Sequence, residues 1–300
     1  MAEAGRGRAA PVAALVFNAF VWGLAWWPFR LLQERGLHPL WSTALVFLAC
    51  LLLFLAVRPG AGAPFARQPL LWLLALATGV TNVGFNWAVT VGDVVRVVLL
   101  FYLMPAWSVL LAWLVLRDRP DAAALLRLLL ALAGVAIVLD TAGTGMPWPR
   151  SLADALALAG GFSFALTNVL LLRLQAVPAA SRMLAMFGGG TVLASAVALG
   201  GLGAGAIAAP AALGAGTLAI AALLALGFLG GNLALQFGAS RLPVHTTALV
   251  MLSEVVFASL SSVALGAAEL TARTLGGGAL ILAAAAWSAW PGRRAPAGAQ

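Results

Sequence analysis

Lysine is absent from this 300-residue chain, and charge of either sign is scarce. Charged residues make up 9% of the sequence; tyrosine and cysteine occur once each and histidine twice. A soluble domain carries roughly a quarter charged residues, so a soluble chain of this composition would present far too much apolar surface to water. The single Cys50 excludes an intramolecular disulfide. His38 and His245 lie in or near loops and are too isolated to form a metal site. No Ser/His/Asp, Cys/His or HExxH arrangement supplies the nucleophile and base, or the metal cluster, of an intramembrane enzyme. No phosphate loop occurs, which excludes a nucleotide-driven pump, and no cofactor is implied.

What the chain has instead is a hydrophobic fraction of 63% and a mean hydropathy of +1.04. Its apolar stretches recur along the whole length, each about 20 residues long and so able to cross the hydrocarbon as a helix. They are continuous rather than alternating, which selects helices over a barrel. Ten spans are predicted, at 11–32, 39–57, 70–89, 94–116, 121–140, 151–174, 180–200, 212–238, 243–264 and 270–290. The first is not a cleavable leader, because it holds Trp22, Trp26 and Trp27 and lacks a small-residue cleavage site.

All 17 basic residues are arginines. With a cytoplasmic N-terminus, 12 of them fall on the inner side and Arg30, Arg35, Arg96, Arg150 and Arg273 on the outer side, as the positive-inside rule expects. The net charge of +8 therefore orients the chain in a bilayer and is not a nucleic-acid footprint. Both termini are expected in the cytoplasm, as short tails at 1–10 and 291–300.

The stretch 141–150 (TAGTGMPWPR) divides the chain into two halves of five spans, 11–140 and 151–290. An odd number of spans per half makes the halves enter the membrane from opposite sides, which is the signature of an inverted repeat. Local motifs agree with this. Trp22 and Trp26 lie four apart in the first span, as Phe164 and Asn168 do in the sixth. Asn82 and Asn86 lie four apart in the third span, as Asn232 and Gln236 do in the eighth. The fold class expected is an all-α membrane protein of ten transmembrane helices, arranged as two inverted five-helix repeats around a central cavity.

Polar groups within hydrocarbon are costly unless they face a bundle interior or water. The candidate lining of the cavity is therefore Trp22, Trp26, Asn82, Phe85, Asn86, Tyr102, Phe164, Asn168, Asn232 and Gln236. The bland alternative for the amides is interhelical hydrogen bonding, and for tryptophan a place in the interfacial belt. Trp41, Trp72, Trp148, Trp287 and Trp290 are read as belt residues. Glu254 is the most deeply placed acid, a candidate for proton coupling or for a helix-packing hydrogen bond. Arg96 is expected to pair with Asp93 or to attract a carboxylate. Gly188–Gly190 and Gly276–Gly278 suit close helix packing.

The segment VVLLFYLMPAWSVLLAWLVLRDRPDAAALLRLLLALAGVAIV, residues 97–138, resembles the fourth and fifth helices of an EamA-type repeat of the drug/metabolite transporter superfamily. The matching features are the mid-helix Pro105, the charged turn Arg117-Asp118-Arg119 and the helix containing Gly134. The second half follows the same plan, but it carries Glu254 or Val255 where the proline is expected and Glu269 for the turn acid, so a matching helix break is not expected with the same force. With its many aromatics the chain is most similar to the YddG-type exporters of aromatic amino acids. The resemblance implies a secondary transporter in the inner membrane of a bacterium, acting as a monomer by alternating access on a small amphipathic solute, with Pro105 among the gating positions. Export of cationic drugs or quaternary ammonium compounds is the alternative, and a lipid scramblase or channel a more distant one.

Overall fold

The computed structural model describes residues 2–116, 122–139, 149–210, 213–239, 241–242, 247 and 250–289, and regular structure among them is helical throughout. Among the described residues, six helical segments are long and apolar enough to cross a membrane: Ala9–Glu34, Pro39–Val57, Leu70–Val91, Leu152–Arg173, Ala179–Gly203 and Ala215–Gly238. Leu125–Val138, Ser253–Ala264 and Ala272–Trp287 are shorter apolar helices.

The first of these segments is not one straight helix. It consists of α1 (Ala2–Leu24) and α2 (Trp26–Glu34), interrupted at Ala25. Pro28 explains the break: it has no N–H to give to the Leu24 carbonyl, and Ala25 N–H turns instead to Trp22 O at 3.2 Å. The span expected as one helix over 11–32 is therefore two.

α3 (Pro39–Val57) starts where a proline needs no amide partner. A 3₁₀ segment (Pro59–Ala66) leads into α4 (Leu70–Val91), which stops at Gly92. The predicted fourth span is divided into α5 (Val94–Phe101) and α6 (Met104–Leu116). Pro105 falls in the first turn of α6 and cannot donate to the Phe101 carbonyl; the ladder is carried across by short bonds from Leu103 N to Leu100 O and from Ala106 N to Leu103 O. α7 (Ala122–Leu139), α8 (Leu152–Arg173), α9 (Ala179–Gly203) and α10 (Ala215–Ala239) follow. α11 (Ser253–Ala264) and α12 (Ala272–Ala289) complete the described chain.

The second half breaks as well, although it has no proline there. The helical ladder is interrupted at Leu252, and Val255 N–H reaches only back to Leu252 O, at 3.1 Å. That leaves the Met251 carbonyl without its usual partner. The hydroxyl of Tyr102 donates to it at 3.1 Å.

α4 packs between α8 and α9, and α1 against α10 and α11. Small residues permit these approaches. Gly134 and Gly277 meet where α7 crosses α12, and a Cβ on either would stand 2.6 Å from the carbonyl oxygen of the other. Of the two glycine clusters marked in the sequence, Gly189, Gly190, Gly277 and Gly278 have neighbours this close, whereas Gly188 and Gly276 meet nothing within 4 Å.

Candidate functional site

A chain of aromatic rings runs through the middle of the helices. The Trp22 indole stacks on Phe228 with centroids 4.4 Å apart and lies 6.3 Å, edge-on, from Phe85. Phe85 meets Phe101 at 4.8 Å, and Phe101 meets Phe164 at 5.4 Å and Tyr102 at 6.4 Å. Trp26, Phe85, Phe101 and Tyr102 are buried in the largest apolar cluster, against which Trp22 and Phe164 pack. These rings come from α1, α2, α4, α5, α8 and α10 and from the turn after α5, so both halves of the chain contribute.

Polar groups line the same region. The Trp26 indole N–H donates to Ser261 Oγ at 3.0 Å, linking α2 to α11. Tyr102 O–H lies 3.1 Å from Glu254 Oε2 as well as from Met251 O. Glu254 is buried, and the structure gives it no basic partner among the described residues. The amide of Asn18 on α1 points its Nδ2 at the Met251 sulfur, 3.5 Å away, while its Oδ1 is buried with no partner.

The expected amides divide. Asn82, Phe85, Asn86 and Val89 are all buried on one face of α4. Asn86 Nδ2 donates to Thr43 Oγ1 on α3 at 3.3 Å, and its Oδ1 is unpartnered. Asn82 and the half-buried Asn232 bond back along their own helices, to Thr78 O at 2.8 Å and Phe228 O at 2.9 Å. Asn168 and Gln236 are exposed, and the structure does not bring them to the ring cluster. The i,i+4 spacing that selected them holds for any face of a helix, and here that face points outward. The side chain of Pro105, and Trp148, His245 and Trp290, lie outside what is described; Trp72 and Trp287 are exposed, as belt residues should be.

Arg96 does not pair its guanidinium with Asp93. The Asp93 carboxylate caps α5 by accepting the Arg96 backbone N–H at 2.8 Å. The guanidinium instead grips Asp154 at the start of α8 with two bonds, of 2.7 and 3.0 Å, and also reaches Val138 O on α7. On the other side of the same turn, Arg30 lies over the Trp26 ring at 5.2 Å and donates to Val89 O and Gly92 O. The α4–α5 turn is thus fastened to α2 by one arginine and to α8 by another.

Sequence reasoning missed Asn18, Phe101, Arg30, Asp154, Phe228 and Ser261. Two signals were available. Asn18 stands one turn before Trp22 on the face already singled out. Ser151-Leu-Ala-Asp154 reads as a capping box, and Ser151 Oγ does accept Asp154 N–H, at 3.0 Å.

No curated protein matches the chain. A solved structure, described only as a crystal structure of a protein, superposes with a TM-score of 0.55 at 21% sequence identity, over 93% of this chain and 96% of that one. At that identity the likeness concerns the fold alone. The family comparison reaches further: residues 10–140 match the EamA-like transporter family, the transporter type that the Pro105 and Gly134 segment resembles.

Proposed function

We propose that the chain is a secondary transporter that exports small amphipathic metabolites, foremost aromatic amino acids, by alternating access through the ring-lined centre. The observation that carries this reading is the convergence of Trp22, Trp26, Phe85, Phe101, Tyr102 and Phe164, drawn from both halves, on a few buried polar groups. Aromatic faces suit an aromatic solute, and amide and carboxyl groups suit its amino and carboxylate ends. Asn82, Asn86 and Asn232 remain candidates for this lining, with Glu254, Arg96 and Pro105 as candidates for coupling or gating.

The ten-span inverted repeat, with halves at 11–140 and 151–290, is part of the proposal. Its support is the pattern of packing partners. Let α1 with α2 correspond to α8, α3 to α9, α4 to α10, α5 with α6 to α11, and α7 to α12. The α4–α8 contact then corresponds to α10–α1, α4–α9 to α10–α3, and α8 with α5 and α6 to α1 with α11. The pairs α3–α9, α5–α11 and α7–α12 map onto themselves. In the last, Gly134 faces Ile281 as Gly277 faces Val138, which is the same contact exchanged. Such exchange is what a two-fold axis in the membrane plane produces.

The test is uptake into liposomes of labelled phenylalanine, tryptophan and a quaternary ammonium compound, with and without a pH gradient. Saturable movement of the amino acids, blocked by excess unlabelled tryptophan, is the expected result. Movement of the quaternary cation alone would replace this reading with cationic drug export.

A further inference from the structure

The loop between α3 and α4 and the turn between α8 and α9 lie side by side. The 3₁₀ segment of the loop packs against α9, and a Cβ on Gly62 would stand 3.7 Å from Leu184 Cδ2. Between loop and turn is a cleft of about 310 Å³, lined by Pro64, Arg67 and Gln68 on one side and by Ala176, Val177 and Pro178 on the other. Its charge is of one sign. Residues 58–69 and 173–182 together hold Arg58, Arg67, Arg173 and Arg182 and no acid. Arg67 is exposed and forms no ion pair among the described residues. Arg182, one turn into α9, buries its Nε without a partner. α4 and α9 begin beside the cleft, at Leu70 and Ala179, each behind a proline that offers no side-chain cap, so the positive end of each helix dipole adds to the field there. Apolar surface borders the cleft as well. The Phe65 ring meets Trp72 edge-on at 5.1 Å, and Trp72 and Leu76, one turn apart on α4, are exposed. A tryptophan so placed marks the membrane–water interface.

We propose that this cleft binds the headgroup of an anionic phospholipid, with Arg67 and Gln68 holding the phosphate and the acyl chains running along Trp72 and Leu76. Guanidinium and amide N–H groups suit phosphate oxygens, which only accept. Two features favour a lipid over a soluble phosphate. The surface next to the cleft is apolar and exposed, which a free anion would not use. On the predicted topology both the loop and the turn face the cytoplasm, where the leaflet carries a negative surface potential. A zwitterionic lipid offers the same phosphate, but its ammonium group would meet the field of Arg67 and the two helix ends. Because the cleft joins a loop of the first half to a turn of the second, a bound lipid ties the halves together. The inference requires only that the chain lies in a bilayer, and it is independent of what the chain transports.

Three probes test this on the purified full-length protein in a nonionic detergent: dioctanoyl phosphatidylglycerol, dioctanoyl phosphatidylcholine and glycerol phosphate. Affinity is read from the rise in melting temperature with probe concentration. Phosphatidylglycerol should bind about fivefold more tightly than phosphatidylcholine, and the difference should shrink in high salt. Arg67→Gln should weaken phosphatidylglycerol about fivefold, the factor for one arginine near an anionic surface, and leave phosphatidylcholine unchanged. Arg241→Gln, on the same predicted side but not in the lining of the cleft, should alter neither. Should Arg67→Gln not fold, Ala176→Glu, which sets a carboxylate on the opposite wall at an exposed position, should abolish the preference for phosphatidylglycerol. Equal binding of the two lipids, binding of no probe, unchanged affinity in a folded cleft variant, or an equal loss in Arg241→Gln overturns the proposal. Glycerol phosphate binding as tightly as phosphatidylglycerol would assign the cleft to a soluble phosphate and overturn the lipid.

Discussion

His38 performs a task that needs its ring neutral. It caps α3, with Nδ1 accepting the Leu40 N–H at 3.2 Å, and its ring lies edge-on to Trp87 at 5.2 Å. Burial holds its pKa below the ordinary 6.5. The folded state therefore binds this proton less readily than the unfolded chain does. The stability that the cap contributes is fully present above the ordinary value and is lost as pH falls below it. Protonation also removes the lone pair that accepts from Leu40. Thermal unfolding followed between about pH 7.5 and about pH 5.5 should show a decline in the wild type. His38→Asn, an amide that can cap without titrating, should flatten that part of the curve. Parallel curves for the two proteins would remove His38 from the pH response. At the same scale, Trp26→Phe keeps a ring in the cluster but deletes the bond to Ser261, and should cost about 1 kcal/mol in unfolding measurements.

At the scale of the helix, adjacent glycines in α9 have opposite expectations. Gly189 lies against the backbone of α4 at Ala75, where a methyl group has no room, while Gly188 meets nothing within 4 Å. Gly189→Ala should destabilise the protein by about 1–3 kcal/mol through overpacking. Gly188→Ala should be neutral or stabilising, since alanine is the better helix former. Equal effects would mean that the α4–α9 approach is not as close as described. This contrast also marks the limit of the sequence. The length and apolarity of α3, α4, α8, α9 and α10 were legible from hydropathy, because a bilayer imposes one length on every crossing helix. The GGG cluster at 188–190 was legible as packing, but which of its members touches a neighbour depends on the rotation of α9, which no pattern along one chain reports. The breaks were legible only where proline marks them. Pro105 foretold the division of α5 from α6, whereas the interruption at Leu252 follows from packing and from the capture of the Met251 carbonyl by Tyr102. The candidate residues divide in the same way: Trp22, Trp26, Phe85, Tyr102 and Phe164 pack into one cluster, as large apolar rings deep in spans do, whereas Asn168 and Gln236 follow from analogy of spacing alone, and their helices turn them outward.

Across the whole molecule, the two arginines at the α4–α5 turn bear on how a transporter would open. On the predicted topology this turn lies on the outer side. A single-cysteine check of that orientation is direct, because Cys50 is buried and silent. A thiol at Ala204 should react with an impermeant reagent added outside, and one at Gly60 should not; the reverse pattern overturns the orientation. If the outer end must open for solute to leave, the turn has to part from α8, which means breaking the Arg96–Asp154 pair. Asp154→Ala leaves a guanidinium unpaired and should cost about 3 kcal/mol in stability, which confounds any transport measurement made on it. A reversible lock avoids that problem. Gly92 in the turn and Ala153 in α8 are so close that a Cβ on Gly92 would stand 2.6 Å from the Ala153 Cβ, within a small shift of the roughly 3.8 Å that a disulfide prefers. In Gly92→Cys/Ala153→Cys, oxidation should join the turn to α8 and abolish liposome uptake, and reduction of the same sample should restore it. Because both states are read in one protein, impaired folding cannot imitate the result. Transport that continues through the oxidised protein would mean that the outer end does not open between α5 and α8, and the gate would then have to lie on the α2 side of the turn, where Arg30 holds Val89 and Gly92.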